Sequence, residues 1–164
     1  MNYYEQNMKL LKDNFKGLYN RVKKAENDKN FIVEGNISEE IVAKIIDKKN
    51  DFDIFIEKTR RGGNTMKIKK DDKEIYFHSK YAPEREAKRI VKDFGFSSKK
   101  QIFALGFGLG YYLNQFDKDN KYNKIILIEP FLSKFYAALC YNDLSDFLSR
   151  KNIDQHDMNV LTDR

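Results

Sequence analysis

Gln101-Ile-Phe-Ala-Leu105 runs directly into Gly106-Phe-Gly108-Leu-Gly110 and then into Tyr111-Tyr-Leu-Asn-Gln-Phe116. A short apolar run, three alternate glycines and a helix-compatible segment predict strand, tight turn and helix in that order. Lys124-Ile-Ile-Leu-Ile-Glu129 repeats the apolar run, and Phe131 to Tyr141 repeats the helical segment. Strands that are apolar throughout and alternate with helices signify a parallel sheet covered on both faces. Such a sheet usually has about four or more strands. Here the series stops after two, with a third beginning only near Met158-Asn-Val-Leu161. Either the chain is a piece of a longer one, which is the favoured reading, or strands from its front half complete the sheet.

Upstream, Pro83 opens a helix with Glu84 and Glu86 in its first turn, an apolar face of Ala87, Ile90, Val91 and Phe94, and Gly95 near its end. Between Phe52 and His78 the period switches to two: Phe52, Ile54 and Ile56 alternate, Arg61-Gly-Gly-Asn64 supplies a turn, and Met66, Ile68, Ile75 and Phe77 continue. This predicts a β-meander of two or three short strands. Ser38-Glu-Glu reads as the N-cap and first turn of a helix with Ile41, Val42, Ile45 and Ile46 as its buried stripe. Residues 3–26 read as one amphipathic helix through Met8, Leu11, Phe15, Leu18, Tyr19 and Val22. The expected class is α/β: N-terminal helices and a small β-meander, then a partial Rossmann-like βαβ unit that is truncated. The divisions are residues 1–80 and 81–164, which can also form one compact domain.

Composition narrows the function classes. The chain has 164 residues, 41% of them hydrophobic, with 23 phenylalanines and tyrosines, so a packed core is within reach and wholesale disorder is excluded. The longest stretch free of charges and amides, Ile102 to Leu113, is twelve residues long. A membrane-spanning helix needs about 20 apolar residues, so no membrane partner is expected. The mixed charges after Met1 do not resemble a signal segment, and the expected location is the cytoplasm. The net charge of +6 comes from 24 lysines and only 7 arginines spread along the chain beside 15 asparagines and 15 isoleucines. That dispersal argues against a nucleic-acid surface, which clusters Arg and Lys among aromatics. One cysteine, Cys140, and two histidines far apart, His78 and His156, argue against a disulfide and a metal centre. Cys140 falls on an apolar face and reads as a core residue.

The glycine turn is the candidate ligand site. Glycines let a backbone approach a ligand, a helix N-terminus offers N–H groups to an anion, and an acid at the end of the next strand binds ribose hydroxyls. Glu129 stands 23 residues after Gly106, which suits that role. The dinucleotide fingerprint, however, needs its third glycine where Tyr111 stands. The looser spacing of S-adenosylmethionine-dependent methyltransferases commonly has an acid where Ala104 stands. Two readings stay open: a nucleotide-like ligand on Gly106, Gly108, Gly110 and Glu129, or glycines that only let strand and helix pack closely. His78, Lys80 and Arg85 bracket a helix start and are further candidates for holding a phosphate or carboxylate. A strand end, a short connection and a solvated amphipathic helix is the preferred reading of them. No catalytic residue and no metal ligand is assigned, and no cofactor is specified.

His78-Ser-Lys-Tyr-x-Pro-x-x-Glu-Ala87, then Leu105-Gly-Phe-Gly-Leu-Gly-Tyr-Tyr-Leu113 and Ile128-Glu-Pro130, together resemble the N-terminal region of the bacterial motility accessory factors, the flagellin glycosyltransferases. The likeness spans residues 52–145, and the first fifty residues carry no recognisable motif. It implies a longer protein with a central catalytic domain related to hydroxymethylpterin diphosphokinases and sialyltransferase-like folds. That domain transfers a nonulosonic acid from a CMP donor to Ser or Thr of flagellin. The present chain is then the front piece, with flagellin and its own C-terminal catalytic domain as partners. Gly106, Gly108, Gly110 and Glu129 match that family's glycine-rich turn and strand-end acid without carrying a catalytic role. The competing readings are a methyltransferase fragment binding S-adenosylmethionine and a non-enzymatic module that dimerises or binds flagellin.

Overall fold

The computed structural model describes residues 2–35, 37–50, 52–94, 101–119 and 124–149. The third strand expected near Met158, the helix end at Gly95, and His156 lie outside these residues. The chain opens with two helices, α1 (Tyr3–Asn14) and α2 (Lys16–Asn27). Five antiparallel strands follow, β1 (Phe31–Gly35), β2 (Ile41–Asp47), β3 (Phe52–Lys58), β4 (Asn64–Lys70) and β5 (Lys73–Tyr76), paired in sequence order. Then come α3 (Pro83–Asp93), β6 (Gln101–Leu105), α4 (Tyr111–Asp119), β7 (Lys124–Ile128), α5 (Leu132–Tyr141) and the single turn α6 (Ser145–Leu148). β6 and β7 pair in parallel, Ile102 opposite Ile125 and Ala104 opposite Leu127, with α4 as the crossover. The chain is mixed α/β, as its sequence predicts.

Two elements differ from expectation. The segment after Ser38 is a strand, not a helix, so the meander has five strands rather than two or three. Four of the seven β2 residues are β-branched isoleucine or valine, which pack better on a pleated surface than in a helix. Ala43, Ile45 and Asp47 alternate inward, and β2 is paired on both edges, by β1 and β3. The Ser38 signal is nonetheless real, because its Oγ accepts the Ile41 N–H at 3.0 Å. The same contact that caps a helix here closes a turn before a strand. The predicted 3–26 helix is broken at Phe15, whose φ of −139° and ψ of 58° end α1 and start α2. Phe15 is itself buried, so the three-and-four spacing runs through the break unmarked.

The meander's inner face presents Ala43, Ile45, Ile54, Ile56 and Met66, all fully buried. Its outer face is polar: Lys67 pairs with Glu57 at 2.8 Å and with Glu74 at 3.2 Å. Helix α5 is the central pillar. Phe135, Ala137, Ala138 and Leu139 are fully buried, and α5 packs on α1 and on strands β2 and β3. Asn7 of α1 ties the layers together, donating to the Leu139 and Asn142 carbonyls at 2.9 and 2.8 Å and accepting the Leu144 N–H at 3.1 Å. One buried cluster therefore runs from Met8 to Leu148 and joins residues on both sides of position 80. Fully burying each of its Leu, Ile and Phe side chains contributes roughly 1.5–3 kcal/mol. The strand pair is less completely covered than a doubly wound sheet: Phe103 and Leu105 of β6 are 68% and 81% exposed.

Candidate functional site

The structure gathers five of the seven sequence-predicted site residues around the turn between β6 and α4. Gly106, Gly108 and Gly110 all have positive φ, at 83°, 55° and 81°, so this turn is a run of left-handed conformations that other residues resist. Gly108 has a second constraint. A Cβ on it would lie 2.4 Å from Nε2 of His78, so the backbone passes directly against the imidazole.

Four of the five N–H groups of the turn are bonded within the chain. Gly106 N–H donates to the Ile128 carbonyl at 2.8 Å, Phe107 N–H to Oε2 of Glu129 at 2.7 Å, Leu109 N–H to Nε2 of His78 at 2.8 Å, and Gly110 N–H to the Phe107 carbonyl at 2.9 Å. The Leu109 carbonyl in turn accepts from Nδ2 of Asn142 at 2.6 Å. An anion-binding turn works by offering such donors to a ligand. Here four of them end on groups of the chain itself, and residues 107–110 are buried.

Glu129 is equally committed. It is fully buried; Oε1 accepts the Phe131 N–H at 3.1 Å and pairs with Nζ of Lys134 at 2.8 Å, while Oε2 holds Phe107. Lys134 is buried too, and its ammonium lies 4.9 Å from the ring centres of both Phe77 and Phe131. A buried carboxylate needs such partners, because an unpaired charge in the interior costs several kcal/mol. Lys134 was not among the sequence candidates. Its signal was its isolation, as the only charge in the otherwise apolar run Phe131 to Cys140.

His78 is buried, and desolvation lowers its pKa from 6.5 to about 4. Accepting at Nε2 requires the neutral ring with its proton on Nδ1, and Nδ1 has no partner among the described residues. Tyr111 meets the ring edge-on at 5.1 Å, and Tyr112 is tilted against it at 5.6 Å. Tyr111 also reaches the β3–β4 turn, where its hydroxyl donates to the Asn64 carbonyl at 2.9 Å and accepts the Asn64 N–H at 3.1 Å. Thr65 of β4 donates to the His78 carbonyl at 2.9 Å. The meander, the 77–82 connection and the parallel unit are thus joined at one place.

Lys80 and Arg85 do not join them. Lys80 is exposed with its ammonium 4.0 Å over the Tyr76 ring, and Arg85 is exposed on α3. Cys140, on α5, is partly buried, and burial pushes its thiol up to about 12, which removes the thiolate a nucleophile needs. Among the described residues no group of three or more His, Cys, Asp or Glu side chains could hold a metal ion, and no helix is long and apolar enough to cross a membrane.

Comparison with known proteins adds to this geometry. The family described as the glycosyltransferase Maf N-terminal domain matches residues 38–164. An uncharacterized protein of Treponema pallidum (strain Nichols) is 30% identical over 81 residues, which are 48% of this chain and 28% of that protein. The chain therefore aligns with less than a third of that relative's length. No solved structure matches.

Proposed function

The chain belongs to the glycosyltransferase Maf N-terminal domain family, and from that membership we propose that it is the accessory front domain of a flagellin glycosyltransferase. The reaction moves a nonulosonic acid from its CMP donor to a Ser or Thr hydroxyl of flagellin: the anomeric carbon leaves the CMP phosphate oxygen and bonds the hydroxyl oxygen, whose proton goes to a base. In this reading that base and the donor site belong to a catalytic domain outside these 164 residues. The work is cytoplasmic, and the present chain helps to hold flagellin, a second copy, or its own catalytic domain. The exposed Phe103 and Leu105 give such a partner an apolar face to cover.

The observation that carries this reading is the closed state of the glycine turn. Four of its five donors, and Glu129, are taken up by His78, Lys134, Ile128 and Phe107, so in this reading the residues that look like a nucleotide site serve as a clasp between the two halves of the chain. The methyltransferase reading keeps one point in its favour, the open space beside Gly106, where an added Cβ meets nothing within 4 Å. The test is made in the cell. A strain whose gene lacks residues 38–149 should produce flagellin lighter by the mass of its nonulosonic acids. Flagellin of unchanged mass from that strain would overturn the proposal.

A further inference from the structure

A cavity lies beside the clasp, against Tyr111, Asn114 and Gln115 of α4. It has a volume of about 530 Å³ and is walled by the β3–β4 turn, α4, and the link between α5 and α6, with Tyr3 at its rim. We propose that this cleft binds a neutral saccharide.

The first argument is unsatisfied hydrogen-bonding capacity. Gln115 lines the cleft, is only 8% exposed, and its side chain makes no hydrogen bond to another described residue. Its neighbour Asn114 spends Nδ2 on the Asp143 carbonyl at 2.6 Å and leaves Oδ1 buried without a partner. Buried carboxamides without partners are rare, because they lose their bonds to water and gain nothing in return. The Asn114 Oδ1 is such an acceptor, and the carboxamide of Gln115 beside it on α4 lines the same cavity without a side-chain partner among the described residues, which points to a group that arrives from outside.

The second argument is the chemistry of the lining. A carboxamide presents donor and acceptor side by side, which suits the vicinal hydroxyls of a sugar, each at once donor and acceptor. Asp143 adds a carboxylate, held by the Ser145 N–H at 2.9 Å, and the half-exposed ring of Tyr3 offers a flat apolar surface to the C–H face of a pyranose. Charge selects among ligands. Arg61 stands against Glu84, Asp143 and Asp146, so the cleft is net negative and disfavours phosphates and acidic sugars. Arg61 in turn disfavours a basic side chain, and the walls come from several separate elements instead of forming the open groove an extended peptide needs. The proposal stands independently of the glycosyltransferase reading.

The test is a chemical-shift titration of the 164-residue chain with N-acetylglucosamine and with mannose, at up to high millimolar concentration. Arginine methyl ester and inorganic phosphate serve as the charged probes. The expected result is saturable shifts at Asn114, Gln115 and Asp143 with at least one sugar, weakened about tenfold in Gln115→Leu, the loss of one or two hydrogen bonds. Asp143→Asn, which can still accept from Ser145, is the second variant should Gln115→Leu not fold, and it should weaken the same shifts. No shift at these residues with either sugar would overturn the proposal. So would shifts that persist unchanged in the variants, or shifts produced by arginine methyl ester or phosphate but by neither sugar.

Discussion

His78 and Leu109 lie 31 residues apart in sequence and are joined by one buried hydrogen bond, the Leu109 N–H donating to Nε2 of His78 at 2.8 Å. The bond ties the end of the antiparallel meander to the turn of the parallel unit. It exists only while the imidazole is neutral, since a protonated Nε2 would face the N–H as a second donor.

Stability should therefore depend on pH through His78. Its folded pKa is lowered to about 4, while the unfolded histidine takes up a proton near 6.5. Between those values the unfolded state binds more protons, so the contribution is full above about pH 6.5 and is lost as pH falls toward 4, on the order of 3 kcal/mol in all. Urea unfolding at a series of pH values checks this against His78→Gln, whose carboxamide oxygen can still accept from Leu109. The variant should lack this part of the slope; parallel pH profiles for the two proteins would remove His78 as its source.

Gly108 and Gly106 should separate packing from backbone strain. Gly106→Ala meets open space and pays only for its positive φ, about 1–2 kcal/mol. Gly108→Ala pays that and also drives its methyl into His78, so it should lose about 3 kcal/mol or more, or fail to fold. Equal losses in denaturant unfolding would show that the imidazole gives way easily.

Breaking the Glu129–Lys134 pair from one side should be costlier than removing both charges. Lys134→Met leaves the fully buried Glu129 without its cation, a loss of about 3 kcal/mol or more. Adding Glu129→Gln should restore part of it, since a carboxamide still accepts one of the two N–H groups that Glu129 holds. A double variant less stable than Lys134→Met alone would contradict this ordering.

Cys140 should react slowly. With the thiol raised from 9.0 to about 12, its thiolate fraction near pH 8 falls by roughly a thousandfold. Iodoacetamide labelling followed by mass should be slow in the folded chain and fast in urea, and equal rates would place the thiol in solvent.

The parallel unit was the most legible part of the sequence, because β6 and β7 are apolar runs and three alternate glycines follow β6. The meander was half legible. β3 and β4 alternate cleanly, but β2 sets isoleucines and valine at both two-residue and three-to-four-residue spacings, and the capping serine suits either outcome. Only pairing with β1 and β3 decides it, and pairing is a non-local fact. At the site, the glycines, Glu129 and His78 could be picked out by type. What could not be read was that they meet one another. Lys134 supplies the charge that Glu129 needs, and the imidazole of His78 fills the space that Gly108 leaves, so the apparent ligand contacts are made within the chain.

The most direct test of that closed clasp is calorimetric titration of the chain with S-adenosylmethionine and with CMP. The account predicts no saturable heat with either, in the wild type and in Glu129→Gln alike. Saturable micromolar binding of either compound, abolished by Glu129→Gln while the fold is retained, would contradict it and make the glycine turn a nucleotide site.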